Sequence, residues 1–581
     1  MLLTNRALID SVSNYIDRLD VVDRVIVIEA PTGYGKSVGA PIVGALSYKK
    51  GFSHNFIHVL PLRAIVEDLY LCKYLAAVRH STAGDSPVGC RVPPPNVFRD
   101  ALKIMGVVEG DVAYQMGLDY MIKGIGVKEP TYDAKVVIST LDSFAYNFLR
   151  VPVTEVFREV KHYAIPRARI FTSSIFLDEI HILNRFDDES SGKSLAFLKV
   201  LLEFSLKTST PLTMATATLW RKFRETIASW CSEGRVVFFT LSNRDEKSGS
   251  TIYVRDREFE DTVKSIKWRT GIVEEGDLVL KATEHAECGE RVLIVRDTID
   301  CAVHTFSKIN VDPSKKTLIH SRLCLRDREN AVERARTTKV VVATPIIEAG
   351  VDWDFDVGFR DATNAPSMVQ VFGRVCRNRK DCEASVYLVK VDGGSSSLVE
   401  YISMNRYIDW RVPYSYTRNG VEFKGYSEVL ERSATPIHVD PRSESVFRAL
   451  TAPLFLPSSY IRVALETAGY NILKEPLAQF YVYGRTGLER SRDVSDIILG
   501  TFTYTLKLAQ DRSQCIDSFA CVVYREGELV VDYVAGASTN TMEYAQLYKK
   551  CIEFSSRNRG RPIFIGFVLR EGCYRDGVGL L

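Results

Sequence analysis

The stretch Val25 to Ser37, VIVIEAPTGYGKS, limits what this chain can fold into more than any other part of it. Val25, Ile26, Val27 and Ile28 form a short apolar, β-branched run of the kind that a strand buried on both faces of a parallel sheet requires. A loop suited to phosphate follows at once. Its residues are Ala30, Pro31, Thr32, Gly33, Tyr34 and Gly35. The two glycines admit backbone conformations that a Cβ forbids, so successive N–H groups can curl around a phosphate, and the next helix adds its positive end. In such a loop Lys36 reaches the β- and γ-phosphates of ATP, and the Ser37 hydroxyl holds Mg2+. GAPIVGALSY continues as a helix that Pro41 is expected to kink.

The following segments repeat the rhythm of a parallel α/β sheet. NFIHVLPLRAIVEDLY reads as a strand ended by Pro61, then a helix from Ala64. Arg63 falls at the carboxyl end of that strand, where open α/β sheets bind ligands; it either grips a nucleic-acid phosphate or is a solvated surface charge. KVVIST, Lys135 to Thr140, is the next buried strand, and Thr140 and Asp142 either contact phosphate or cap the helix LDSFAYNFL. In SIFLDEIH two acids stand at a strand end. Asp178 fits the magnesium-holding role, Glu179 fits the residue that orients and deprotonates an attacking water, and His181 links them to the next segment. That segment is LTMATATL, whose Thr216 and Thr218 can hydrogen-bond to His181. Together with the phosphate loop these residues make a phosphoryl-transfer site.

From about Ser242 the chain becomes more charged, and a second alternation starts at Arg291 with RVLIVRDT, TLIHSR and KVVVATP as strands. It carries no second phosphate loop, so it is expected to cap a nucleotide held by the first. TPIIEAGVDWDFD places Gly350 and Asp352 to touch the ribose and the catalytic water, and VQVFGRVCR presents Gln370, Arg374 and Arg377. Spaced three apart, the two arginines would share a helical face and point at one triphosphate. Beyond about Glu400 this rhythm fades. CVVYREGELVVDYV then reads as a hairpin turning at Glu526 and Gly527, followed by a helix over Thr541 to Ser555 and the strand PIFIGFVL, an α+β part.

With 581 residues the chain exceeds one hydrophobic core, and we divide it into domains at 1–242, 243–400 and 401–581. A net charge of +3 requires any nucleic-acid surface to be a local groove. The twelve cysteines are scattered without C-x-x-C pairs and read as reduced core residues. Only Cys72, Cys90 and Cys231 precede Cys288, too few for a four-cysteine iron–sulfur cluster there. There is no signal-like N-terminus and no membrane-length apolar run, so a cytoplasmic protein is expected. The first glutamine is Gln115, which leaves adenine specificity without an argument.

APTGYGKS, LDEIH, TAT, HSR with RDRE, ATPIIEAGVD and QVFGRVCR occur in the order and spacing of superfamily 2 helicases. More narrowly, IHSRLCLRDRE followed by ATPIIEAGVDWDFD resembles the helicase of type I CRISPR systems, over roughly residues 25 to 380. The resemblance implies two tandem RecA-like parallel-sheet domains plus a C-terminal α+β accessory domain. It implies an ATP-dependent helicase acting on single-stranded or R-loop DNA beside a crRNA-guided surveillance complex. Strand contacts would come from Arg63, Thr140, Arg322 and Thr344. Ala30 in place of the loop's usual first glycine is common in helicases. Val371 replaces the arginine that usually follows the glutamine. None of the nine histidines is followed by Asp, so a separate HD nuclease is expected. The alternatives are an RNA or DNA-repair helicase of the same superfamily, or a nucleotide-dependent clamp that does not unwind.

Overall fold

A computed structural model describes residues 4, 6–61, 63–79, 94–116, 126–151, 164–184, 190–232, 234–348, 353–377, 379–432, 437–452, 477–534 and 541–580. Gly350, Asp352 and most of the proline-rich stretch Thr82–Asn96 lie outside them. Contacts divide the chain into two compact units. The first comprises Met1–Val273, Glu348–Asp356 and Ala362–Lys474, and the second Glu274–Ile347, Val357–Asp361 and Glu475–Leu581. In these terms QVFGRVCR groups with the phosphate loop.

The first unit is built on nine strands: β1 (Val25–Glu29), β2 (Asn55–Leu60), β3 (Val112–Gln115), β4 (Val136–Thr140), β5 (Ser173–Leu177), β6 (Leu212–Thr216), β7 (Val236–Leu241), β8 (Glu246–Ser248) and β9 (Thr251–Val254). Their order is β3-β4-β2-β5-β6-β1-β7-β9-β8. All neighbours run parallel except the β8/β9 hairpin at the edge. β1, β2, β4, β5 and β6 are buried along their whole length, as their continuous apolar runs require. Helix Lys36–Lys49 carries Pro41 without interruption and lies close on the sheet, for a Cβ on Gly44 would meet the Phe56 ring at 2.6 Å. An N-terminal amphipathic helix runs over Ala7–Asp17 and buries Leu8, Ile9, Val12 and Ile16.

The second unit holds two main groups of strands besides a short hairpin over residues 574–580. Four parallel strands lie in the order Val357–Asp361, Val292–Val295, Val340–Ala343, Lys316–Ile319. The other is a mixed sheet in the order Thr501–Thr505, Leu477–Tyr481, Arg561–Leu569, Ile516–Arg525, Glu528–Val534. The expected hairpin turns at Glu526 (φ 47°) and Gly527 (φ 98°), and the expected helix covers Thr541–Arg557. The fold is thus α/β with a C-terminal α+β part. The expectation of reduced cysteines is corrected: Cys376–Cys382, Cys515–Cys573 and Cys521–Cys551 are disulfides. Folding brings their Cα atoms to 6.1, 5.7 and 5.6 Å, within bridging range, from separations of 6, 58 and 30 residues. Cys231, Cys288, Cys301 and Cys324 are free thiols. No described helix is long and apolar enough to cross a membrane.

His320, beyond strand Lys316–Ile319, is fully buried and held at both ring nitrogens. Nε2 lies 2.8 Å from the Val578 carbonyl and Nδ1 accepts from the Arg322 N–H at 3.2 Å, which fixes a neutral ring. Burial lowers its pKa from 6.5 to about 4, assisted by the Arg322 and Arg328 charges against the opposing Val578 bond. Because the unfolded chain protonates first, this contribution to stability is complete above pH 6.5 and is lost as the pH falls towards 4. Denaturant unfolding of wild type should lose roughly 3 kcal/mol across that window from this group, and His320→Gln should flatten the loss.

Candidate active site

The carboxyl ends of β1, β6 and β5 lie side by side, with Glu29 opposite Thr216 and Leu177 opposite Met214. The phosphate loop and the two strand-end acids are therefore neighbours. Gly33 (φ 80°) and Gly35 (φ 106°) take left-handed conformations where an L side chain would be strained. Gly35 then starts helix Lys36–Lys49.

Lys36 is 5% exposed. Its ammonium donates to the carbonyls of Ala30 at 3.1 Å and Pro31 at 3.3 Å and lies 3.6 Å from Glu179 Oε1. Ser37 Oγ donates to Asp178 Oδ2 at 2.7 Å. Glu179 adopts φ 55°, and its N–H donates to Asp178 Oδ1 at 3.0 Å. Its other carboxylate oxygen is 3.3 Å from His181 Nδ1, which is 3.2 Å from Thr216 Oγ1. Burial by itself would raise the Glu179 pKa; the Lys36 ammonium and the His181 bond outweigh it and hold the carboxyl below its ordinary range. Thr218 bonds differently from expectation: its N–H donates to Thr216 Oγ1 at 3.1 Å.

QVFGRVCR lies against the same loop. Gln370 Oε1 accepts from Thr32 Oγ1 at 2.7 Å, a Cβ on Gly373 would meet Thr32 at 3.2 Å, and the Arg377 side chain passes 3.6 Å from the Cβ position of Gly33. The shared helical face of Arg374 and Arg377 is corrected. Helix Ala365–Phe372 ends before both, because the backbone turns to pair with Phe355: Phe355 N–H donates to Arg374 O at 3.1 Å and Cys376 N–H to Phe355 O at 2.9 Å. Arg374 is buried with Nη2 on the Glu348 carbonyl at 2.6 Å, whereas Arg377 faces the loop.

The four residues assigned to strand contact divide between the units. Arg63 starts helix Arg63–Leu69 beyond β2, and Thr140 ends β4 opposite Leu60. Thr140 caps helix Leu141–Phe148, accepting from Ser143 N–H at 3.4 Å. Arg322 is ion-paired with Asp300 at 3.4 Å, and Thr344 is buried beyond strand Val340–Ala343.

Asp256, Asp354 and Arg411 escaped the sequence reading, as did the anchoring role of Tyr34. Tyr34 is fully buried within the loop; its hydroxyl accepts from Leu8 N–H at 3.0 Å and donates to Asp256 at 2.6 Å. Asp256 also accepts from Ala7 N–H at 3.1 Å and caps helix Arg257–Val263 through Phe259 N–H at 3.0 Å. Arg411, 4% exposed, donates to the carbonyls of Cys376 at 3.2 Å and Arg377 at 2.9 Å, and Asp354 accepts from Arg377 N–H at 3.0 Å. Asp354 was visible inside GVDWDFD; Asp256 and Arg411 had no local signal.

A phosphate loop on a parallel sheet, a strand-end Asp-Glu pair and an arginine over the loop make an α/β site suited to binding a nucleoside triphosphate and activating water against it. Residues 288–380 match the family model described as CRISPR-associated nuclease/helicase Cas3, C-terminal. The family that the chain resembles is the Cas3-type helicases. It is 23% identical over 382 residues to the CRISPR-associated helicase Cas3 of Thermoproteus tenax, covering 64% of this chain and 57% of the relative. Over 96 residues it is 31% identical to the CRISPR-associated nuclease/helicase Cas3 of Methanothermobacter thermautotrophicus, 16% of this chain and 11% of that one. The chain thus spans little more than half the length of the first relative. Among solved structures, T. fusca Cas3 superposes with TM-score 0.55 at 15% identity, over 87% of this chain and 64% of that chain. The DUF1998 helicase MrfA bound to DNA superposes with TM-score 0.51 at 13% identity, over 98% and 67%. These likenesses establish the fold.

The Tyr34 and Asp256 bonds tie the phosphate loop to the N-terminal helix. Tyr34→Phe should cost about 1 kcal/mol in chemical unfolding, and Asp256→Ala, which strips an acceptor from three donors, the helix cap among them, on the order of 3 kcal/mol.

Proposed function

We propose that the chain is an ATP-dependent DNA helicase of the Cas3 type that moves along one strand during type I CRISPR interference. In this reading it works in the cytoplasm with a crRNA-guided surveillance complex and a separate HD nuclease. The observation that carries the proposal is the convergence of Lys36, Ser37, Asp178, Glu179 and Arg377 at one phosphate loop. Lys36 and the loop's N–H groups bind the triphosphate, and Glu179, kept ionised, accepts a proton from the attacking water. Arg377 supplies charge against the γ-phosphate. Gln370, bonded to Thr32, registers the state of the loop. Gly350 and Asp352 keep their sequence-based assignment to ribose and water.

The donor set at the loop fits magnesium. The Ser37 hydroxyl and Asp178 carboxylate converge at 2.7 Å, and the described residues form no cluster of three or more His, Cys, Asp or Glu side chains suited to a metal. Mg2+ commonly rests on one or two carboxylates together with substrate phosphates. Ser37 and Asp178 would hold it, and when bound it neutralises phosphate charge. The likeness to MrfA, a helicase solved bound to DNA, supports DNA over RNA as the track.

ATP hydrolysis should rise severalfold or more on adding single-stranded DNA, and Glu179→Gln should lower the stimulated rate by about 10² to 10⁴ while leaving nucleotide binding within a fewfold. Stimulation by RNA alone would defeat the DNA reading. An unchanged rate in Glu179→Gln would defeat the motor.

A further inference from the structure

We propose that Tyr504 and Tyr483, together with Arg322 and Arg326, form a stacking surface in the second unit for the bases of a single-stranded nucleic acid. The inference rests on the helicase reading and adds to it a binding surface on the C-terminal mixed sheet.

Two arginine–tyrosine pairs stand next to each other. The Arg322 guanidinium lies 5.3 Å from the Tyr504 ring centroid, and that of Arg326 lies 5.5 Å from Tyr483. Both arginines come from one short stretch after strand Lys316–Ile319, Arg326 from the first turn of helix Leu325–Ala335. Both tyrosines come from adjacent strands: Tyr504 sits in the edge strand Thr501–Thr505, and Tyr483 lies just past its neighbour Leu477–Tyr481. The pairs are therefore made by the same two elements, meeting twice.

These tyrosines are not the filling of the domain. Phe480 stacks on Phe502 and Phe567, Phe519 meets Phe567 edge-on, and all four are at most 2% exposed, while Tyr483 and Tyr504 pack against that core from outside and stay half-buried. Arg326 is exposed and has no carboxylate within ion-pair distance among the described residues, so its charge is available to a phosphate. The arginine-bearing stretch is also fixed in place, by residues 574–577 of the C-terminal segment. The Tyr574 hydroxyl accepts from Cys324 N–H and donates to Asp327 Oδ2, each at 2.8 Å, and Asp327 accepts a further bond from Gly577 N–H at 2.8 Å. A surface held this way loses little freedom when a ligand stacks on it.

Flat rings and guanidinium planes offer faces to bases, and bases expose their own faces only when unpaired. The surface consequently suits a single strand of any sequence, with Arg322 and Arg326 meeting the backbone charge.

The test is fluorescence anisotropy with a labelled oligothymidylate and the full chain. Tyr504→Leu and Tyr483→Leu, which keep apolar packing but lose the ring, should each weaken binding about tenfold or more. Tyr504→Phe should stay within about twofold. The tyrosine variants should keep the wild-type salt dependence, whereas Arg326→Gln should reduce its logarithmic slope by about 0.7. ATP hydrolysis without nucleic acid should be unchanged in all of them. Wild-type affinity in both leucine variants, with unfolding midpoints like wild type, overturns the stacking surface and leaves the helicase reading standing. Failure of the wild-type chain itself to bind the oligonucleotide removes the helicase reading, and this inference falls with it.

Discussion

The arrangement at the phosphate loop depends on one buried charge. An ammonium removed from water is expensive unless it is paired and hydrogen-bonded, and Lys36 meets that demand with two carbonyls of its own loop and the Glu179 carboxylate. Those partners exist only if β5 ends next to β6 and β6 next to β1. The strand order β5-β6-β1 is thus a condition for a stable Lys36 as much as for a working site. The same attraction keeps Glu179 ionised against its own burial. The proposed base and the lysine that would hold phosphate are thereby stabilised by each other before any nucleotide enters.

How much of this was legible depended on whether the cause was local. Strands buried on both faces announce themselves as runs such as VIVI, NFIHVL and VVIST, and all three are β-strands of the first sheet. The hairpin at Glu526–Gly527 was readable because its turn residues tolerate positive φ. The spacing of Arg374 and Arg377 was readable, but their orientation was not. It is decided by backbone pairing with Phe355, about twenty residues earlier, which ends the helix before either arginine. Thr140 shows the reverse case: cap and phosphate ligand share one sequence signature, and the hydrogen bond to Ser143 is what reveals the cap.

Long-range pairing is where the sequence was silent. Nothing near Asp256 marks it as the acceptor for Tyr34, more than two hundred residues away, and cysteines 58 positions apart give no hint of becoming a disulfide. Contact grouping likewise departs from a division at 242 and 400. Residues 362–474 group with the phosphate-loop unit, to which Gln370 and Arg448 bond through Thr32 and Glu203, although the α/β rhythm assigns the earlier part of that stretch to a second repeat.

These remote contacts carry a mechanical consequence. The Tyr34 ring meets Phe259 edge-on with centroids 4.9 Å apart, and the Arg411 guanidinium lies 5.9 Å from the same Phe259 ring. Arg411 in turn grips the Arg377 carbonyl. Burial lowers its pKa to about 10, which still leaves it charged at neutral pH, with Asp409 opposing the shift. The phosphate loop and the arginine lying over it are therefore connected underneath by Tyr34, Phe259 and Arg411, as well as above by Thr32 and Gln370. A displacement of either motif must disturb a buried ring contact or a buried charge, and packed cores resist such changes until they switch as a whole. The residues after Arg377 thus help to aim it through its backbone carbonyl, without needing to touch a nucleotide themselves.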